Sequence, residues 1–195
     1  MKKIECNLTY RFTQVLQERT SEMEKSDAPK EPTFVEYIYQ LNEGHHIFEA
    51  LEHSLKEIDK IDVPQLKRIG LKTYEEGKWT IHTIIQHLID WERIWCFRAI
   101  LFAREEGTIP DAHDQEIMAQ NSKADERSIE ELVNELRMVR QSTILLFESF
   151  NRKLLDMTCR FFEYEMPLAG LGFSITAHQI HHLNVIKERY LPLDK

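Results

Sequence analysis

The stretch that decides the fold runs from Thr80 to Gly107 and reads TIHTIIQHLIDWERIWCFRAILFAREEG. Leu88, Trp91 and Trp95 recur in it at spacings of three and four residues, the period of an amphipathic helix. Thr80 is a typical N-cap residue, and a glycine such as Gly107 is a typical helix end. The stretch therefore predicts one long helix that begins at Thr80 and ends just before Gly107.

Three further helices are predicted around this one. Apolar residues with the same period predict a helix from about Phe34 to Ile61, and an S-x-x-E capping box at 128–131 opens another that extends to Phe150. The last helix covers about Ser174 to Tyr190, after an irregular connection at 151–172. Four helices with long connections predict an all-α fold, a four-helix bundle.

The domain organisation divides the chain at residue 32. Residues 1–32 carry only a weak helical pattern, which ends at the two prolines Pro29 and Pro32. They are predicted to form an N-terminal helical arm or extension. Residues 33–195 are predicted to form the bundle.

The composition excludes several classes of protein. The 195 residues include only six glycines and six prolines, too few for the many tight turns of an all-β sandwich or barrel. A net charge of −8 argues against nucleic-acid binding. The chain has no apolar run that predicts a signal peptide or a membrane span, and its three cysteines lack CxxC spacing, so a cytoplasmic protein is predicted.

Histidine spacing in the last predicted helix indicates chemistry. His178 and His182 stand one turn apart, so both can bind one metal ion. On a helical wheel with about 100° per residue, this pair borders the apolar face, whereas His181 lies on the polar side. The alternative is that the two histidines are hydrogen-bonded residues at the edge of the core, without a ligand.

Two well-known metal motifs do not fit this pattern. A zincin peptidase needs H-E-x-x-H, but Gln179 occupies the position of its general-base glutamate. A ferritin-like di-iron site needs two Glu-x-x-His pairs, and only the pair Glu43 and His46 has that spacing.

A third ligand is predicted on the helix that begins at Thr80. His87 lies in an almost wholly apolar turn, where an ionisable group needs a partner or a metal. Asp90 and Arg98 lie further along this helix and are candidates for supporting a ligand or contacting a substrate. Each also has a plain alternative, since Arg98 could form an ion pair and Asp90 could face water.

At these residues the chain resembles the DinB/YfiT-like superfamily, whose members are described as metal-dependent enzymes. (This is the damage-inducible Bacillus-type DinB family, not the DNA polymerase of the same name.) The resemblance covers about residues 34–192 and rests on five segments: YEEGKWTI at 74–81, HLIDWER at 87–93, FRAILFAR at 97–104, RSIEEL at 127–132 and HQIHHLNVIKERYL at 178–191.

The resemblance implies a four-helix bundle with unusual connectivity, commonly in a homodimer. It also implies a metal site of three histidines, which map onto His87, His178 and His182. Family members commonly have Glu or Asp where this chain has Gln179, a position that is not a ligand. Relatives with known activities are similar to thiol S-transferases and isomerases that use low-molecular-weight thiols such as bacillithiol or mycothiol.

Three histidine ligands leave coordination positions open, which is typical of a catalytic metal site. Imidazole suits Zn²⁺ or Ni²⁺ best, and Fe or Mn is compatible. The sequence thus predicts a divalent metal ion that activates water or a low-molecular-weight thiol against a small-molecule substrate, as a hydrolase or thiol S-transferase. A second hypothesis stays open: a non-catalytic dimeric helical protein of the stress-response or small-ligand-binding type, with structural or vestigial histidines.

Overall fold

The structure, a computed structural model, describes residues 46–104, 114–161 and 164–195. The described helices and strands are, in chain order, α1 Ile47–Asp59, α2 Val63–Ile69, α3 Ile81–Ala103, α4 Gln115–Asn121, α5 Ile129–Glu148, α6 Arg152–Leu155, β1 Thr158–Phe161, β2 Tyr164–Pro167 and α7 Leu168–Val185. The α7 helix continues through a π-helical turn at Ile186–Tyr190. The predicted N-terminal extension, residues 1–32, lies outside the described residues.

The four long helices α1, α3, α5 and α7 form a four-helix bundle. Both α5 and α7 pack against α1 and against α3. In the described part of the chain, α1 and α3 therefore lie diagonally across the bundle although they are consecutive long helices. This arrangement confirms the predicted all-α bundle, and the long connections from α1 to α3 and from α5 to α7 cross its diagonals.

The predicted starts of α3 and α5 are confirmed by their caps. The Thr80 hydroxyl oxygen accepts a hydrogen bond from the Thr83 N–H at 3.1 Å. At α5, Ser128 accepts from the Glu131 N–H at 3.2 Å and the Glu131 carboxylate accepts from the Ser128 N–H at 3.0 Å, which is the predicted capping box. No helix in the described ranges is both long and apolar enough to cross a membrane.

The prediction of one continuous helix from Phe34 to Ile61 is wrong at His46. That residue has an extended backbone, with φ −71° and ψ 159°, and α1 begins after it. The Glu49 carboxylate accepts the His46 N–H at 3.4 Å, so a side chain replaces the helical partner that this N–H would have in a continuous helix. Residues 34–45 lie outside the described ranges.

The connection predicted as irregular at 151–172 contains the short helix α6 and an antiparallel hairpin of β1 and β2. It also contains the start of α7, six residues before the predicted start at Ser174. Gly170 and Gly172, near the predicted boundary, therefore lie inside α7. At Gly172 the helix packs closely against other helices. A Cβ on Gly172 would lie 2.5 Å from Ile47 Cδ1 and 2.9 Å from Phe147 Cε1.

This close approach predicts that Gly172→Ala destabilises the fold. An added methyl group overpacks the contact at a cost of about 1–3 kcal/mol, which exceeds the gain of about 1 kcal/mol in helix propensity. Gly170→Ala is the matched control, because its Cβ would meet only the Met166 side chain, at 3.3 Å from Sδ and 3.4 Å from Cβ, which is a milder contact. Urea unfolding followed by circular dichroism checks both variants. A Gly172→Ala protein as stable as Gly170→Ala would contradict this account.

A buried polar layer divides the core of the bundle into two apolar clusters. Each long helix contributes one residue to this polar layer: Ser54, Glu92, Arg140 and Gln179. Arg140 donates to both Glu92 carboxylate oxygens, at 2.8 and 2.9 Å, and a third N–H of its guanidinium donates to the Ser54 hydroxyl. Gln179 Nε2 donates to the Ser54 carbonyl at 2.8 Å. The polar layer therefore joins all four helices at one level.

Candidate metal centre

Three histidines from two packed helices converge on one point. His87 comes from α3, and His178 and His182 come from α7. The Nε2 atom of His178 lies 3.0 Å from Nε2 of His87 and 3.1 Å from Nε2 of His182. One ligand nitrogen from each of the three residues lies within 4.8 Å of the other two. The structure thus brings together all three residues predicted as ligands.

The spacing of these nitrogens fits a shared metal ion. Two imidazole nitrogens at about 2.0–2.1 Å from a tetrahedral ion are separated by about 3.3 Å, close to the observed contacts. Hydrogen bonding among the rings explains the geometry less well. Nε2 of a neutral imidazole is either a donor or an acceptor, so His178 Nε2 cannot serve both close neighbours equally well. A cation at the centre satisfies all three lone pairs at once.

Burial keeps these histidines in the form that binds metal. Desolvation, followed by the charge of His181, lowers the pKa of His87 to about 4. Desolvation, with smaller effects of His87 and His181, lowers the pKa of His182 to about 3. The pKa of His178 lies well below the ordinary value, again mainly through desolvation. All three rings are therefore neutral at pH 7, with lone pairs available.

These shifts predict how the stability of metal-free protein depends on pH. A histidine with a depressed pKa stays neutral in the folded state, whereas the unfolded chain takes up a proton below about pH 6.5. Stability is therefore full above about 6.5 and is lost as the pH falls toward 4, by about 3 kcal/mol for His87 alone. Urea unfolding at both pH values, after chelation, measures the loss. His87→Phe should lose less stability, and an unchanged loss would contradict the assignment.

Aromatic rings surround the three histidines. The Trp79 ring centroid lies 4.8 Å from that of His87 and 6.4 Å from that of His182, nearly parallel to the latter. The Trp95 ring meets His178 edge-on at 5.1 Å. These indoles pack against the imidazoles and hold them in place. Sequence reasoning placed Trp95 on the apolar side of its helix and gave Trp79 no role.

The Trp79 ring is itself fixed by two polar contacts. The indole Nε1–H donates to the Glu116 carboxylate at 3.1 Å, and the Tyr190 hydroxyl donates to the backbone carbonyl of Trp79. Neither Glu116 nor Tyr190 was selected from the sequence as a functional residue. The family resemblance does point to Tyr190, which belongs to its last segment. Glu116 lies in a polar stretch whose residues follow no motif or helical periodicity.

A cavity of about 520 Å³ adjoins the histidines. Its described walls include the two α7 histidines of the cluster, so the open side of the candidate site faces a space large enough for a small molecule. His181, predicted on the polar side of α7, also lines this cavity. The other described residues that line it are Tyr74, Gly77, Lys78, Trp79, Ile84, Trp95, Gln115, Glu116, Ser174, Val185 and Tyr190.

Asp90 and Arg98 do not belong to the described lining of this cavity. The Asp90 carboxylate accepts from Gln86 Nε2 at 2.8 Å, and partial burial raises its pKa. Arg98 is 2% exposed, and its guanidinium carbon lies 5.9 Å from the ring centroid of Trp91, whose ring is a neighbour of His87. A contact of either side chain with a substrate stays a prediction.

Gln179, at the position where the family resemblance implies an acid, faces away from the histidines. Its side chain is buried and donates to the Ser54 carbonyl of α1. An amide suits this place because a carboxylate has no N–H to offer a carbonyl oxygen. The Gln179 amide therefore contributes to the packing of α7 on α1.

Comparison with known proteins gives two findings. A family model described as the DinB superfamily matches residues 10–186, a range that begins within the predicted N-terminal extension. Among solved structures, YfiT from Bacillus subtilis matches with a TM-score of 0.59 and 16% identity, over 87% of this chain and 92% of that chain. YfiT is described as a probable metal-dependent hydrolase with an unusual four-helix bundle topology. The search of curated proteins found no match.

Proposed function

Because this chain belongs to the DinB superfamily, we propose that it is a metal-dependent enzyme that acts on a small molecule. His87, His178 and His182 hold a divalent metal ion, with Zn²⁺ or Ni²⁺ the best match to three imidazoles and Fe or Mn compatible. The single observation that carries the proposal is the convergence of three neutral imidazoles beside a cavity. The name of YfiT as a probable metal-dependent hydrolase supports the same class.

The ion supplies one kind of chemistry when bound: three neutral ligands leave its positive charge uncompensated, so it acidifies water or a low-molecular-weight thiol placed beside it. The residues of the chain do the rest. Trp79 and Trp95 pack against the imidazoles and orient them. The described cavity walls hold the substrate next to them. Reaction types that fit are hydrolysis and thiol S-transfer.

Metal content tests the proposal. Untagged protein is expected to contain about one metal ion per chain after equilibration with Zn²⁺ or Ni²⁺, measured by inductively coupled plasma mass spectrometry. Chelation should remove the ion and lower the melting temperature, because a ligand that binds only the folded state stabilises it. A protein that takes up no metal after soaking would overturn the proposal and favour structural histidines. Metal binding without hydrolase or thiol-transfer activity would leave the non-catalytic hypothesis ahead.

A further inference from the structure

We propose that Tyr190 is a positioning residue of the candidate metal centre, because its hydroxyl joins the two helices that carry the three histidines. This inference rests on the proposed function, since it concerns how the same three imidazoles are held. It is carried by one hydrogen bond, by the packing on both sides of that bond and by the π-helical turn that places Tyr190.

The hydrogen bond crosses from one ligand-bearing helix to the other. The Tyr190 hydroxyl donates to the backbone carbonyl of Trp79. Trp79 directly precedes Thr80, the N-cap of α3, and Tyr190 ends the π-helical turn that continues α7. The bond therefore ties the start of the helix that carries His87 to the end of the helix that carries the other two candidate ligands.

The π-helical turn brings Tyr190 to the side of α7 that carries the histidines. The Leu191 N–H donates to the carbonyl of Ile186, five residues earlier, where a regular α-helix has a spacing of four. With about 100° per residue, a regular helix would put Tyr190 about 80° away from His182. The π-helical turn uses one more residue and so rotates Tyr190 back toward the side of His182, and both residues line the cavity.

Packing restricts movement at both ends of this bond. Tyr190 is 1% exposed and belongs to the same apolar cluster as Ile81 and Ile84 of α3. Desolvation raises the pKa of Tyr190 to about 12, so the hydroxyl keeps its proton and donates at neutral pH. At the other end, the Trp79 ring packs on His87, with ring centroids 4.8 Å apart. Movement of Trp79 would therefore displace a ligand.

The test uses Tyr190→Phe, which removes the hydroxyl and keeps the buried ring. Zn²⁺ affinity, measured by competition with a chromophoric chelator, is expected to fall about tenfold, the lower end of the range for residues that support a metal ligand. The visible absorption spectrum of the Co²⁺-loaded protein should also change, because its bands depend on how the ligands are arranged around the ion.

Tyr74→Phe is the matched control. Tyr74 lines the same cavity and meets the Tyr190 ring edge to face at 5.2 Å, but the hydroxyl that donates to Trp79 is that of Tyr190. Tyr74→Phe is expected to keep both the Zn²⁺ affinity and the Co²⁺ spectrum. An equal loss of affinity in the two variants would contradict the assignment of the effect to the hydrogen bond.

The outcomes separate this inference from the proposed function. Equal Zn²⁺ affinity and an identical Co²⁺ spectrum in Tyr190→Phe and the unsubstituted protein would overturn the inference and leave the proposed function standing. A lower melting temperature of metal-free Tyr190→Phe, without a change in affinity or spectrum, would also overturn it, because the hydroxyl would then stabilise only the fold. An unsubstituted protein that takes up no metal would overturn both.

Discussion

His178→Ala is expected to lower the affinity of the protein for Zn²⁺ by more than about 100-fold. Loss of a residue that only supports a metal ligand costs up to about 100-fold, and loss of a ligand itself should cost more. His178 has the central position in the cluster, because its Nε2 lies at hydrogen-bonding distance from Nε2 of both His87 and His182. Without it, an ion has two protein ligands on two different helices. Competition with a chromophoric chelator measures the affinity of both proteins.

The neighbouring residue His181 provides the matched control. It lies on the same helix and lines the same cavity, but it is outside the group of three converging ligands. His181→Ala is expected to keep Zn²⁺ affinity within a small factor of the unsubstituted protein. If His181→Ala lost the metal while His178→Ala retained it, the ligand assignment would be wrong.

Thermal unfolding gives a second readout of the same substitution. Free Zn²⁺ at 100 times its dissociation constant stabilises the folded protein by about 2.7 kcal/mol, so the melting temperature should rise on addition of metal. The His178→Ala protein is expected to show almost no rise at the same concentration. This comparison is made within each variant, with and without metal, so a general loss of stability from the smaller side chain does not affect it.

The histidines of the candidate site could be predicted from the sequence because the direction of a helical side chain depends on local periodicity. His178 and His182 are one turn apart, and the wheel put both toward the core. His87 was conspicuous because its neighbours are apolar. Nothing in the sequence directly indicates that α3 packs against α7, and that step rests on the family resemblance.

The surroundings of the site could not be predicted, because they depend on contacts between distant residues. Glu116 lies 37 residues from Trp79 in the chain, and nothing in its polar segment indicates that it accepts the indole N–H. The start of α7 was missed for a related reason. Gly172 is typical of a helix end, but here it lies inside α7, at a position where Ile47 and Phe147 leave no room for a side chain.

The polar layer is the clearest case of such a nonlocal feature. In the sequence, the polar residues Ser54, Glu92, Arg140 and Gln179 stand at intervals of about forty positions, with no shared motif. In the fold they meet between two apolar clusters, where each forms a hydrogen bond with another of the four. Because Gln179 directly follows His178, this polar layer also fixes the helix that carries two of the three candidate ligands.

Arg140→Met is expected to lower the free energy of unfolding by about 3–5 kcal/mol, because it leaves a carboxylate buried without its partner. Glu92 and Arg140 have side-chain exposures of 3% and 1%, so water cannot replace the lost hydrogen bonds. Methionine keeps most of the volume of the arginine stem, and the effect is therefore mainly the loss of charge. Urea unfolding of metal-free protein, followed by circular dichroism, measures the change.

Two further variants separate the buried charge from packing. The double variant Glu92→Leu with Arg140→Met should recover much of the lost stability, since replacing a buried ion pair by apolar residues is often neutral. Arg137→Met is the control on the same helix, where the Arg137 ion pair with Asp59 at 2.6 Å is partly exposed to solvent. A surface pair of this kind contributes about 0–1 kcal/mol. If Arg137→Met cost as much as Arg140→Met, or if the double variant were no more stable than Arg140→Met alone, an uncompensated buried charge would not be the cause.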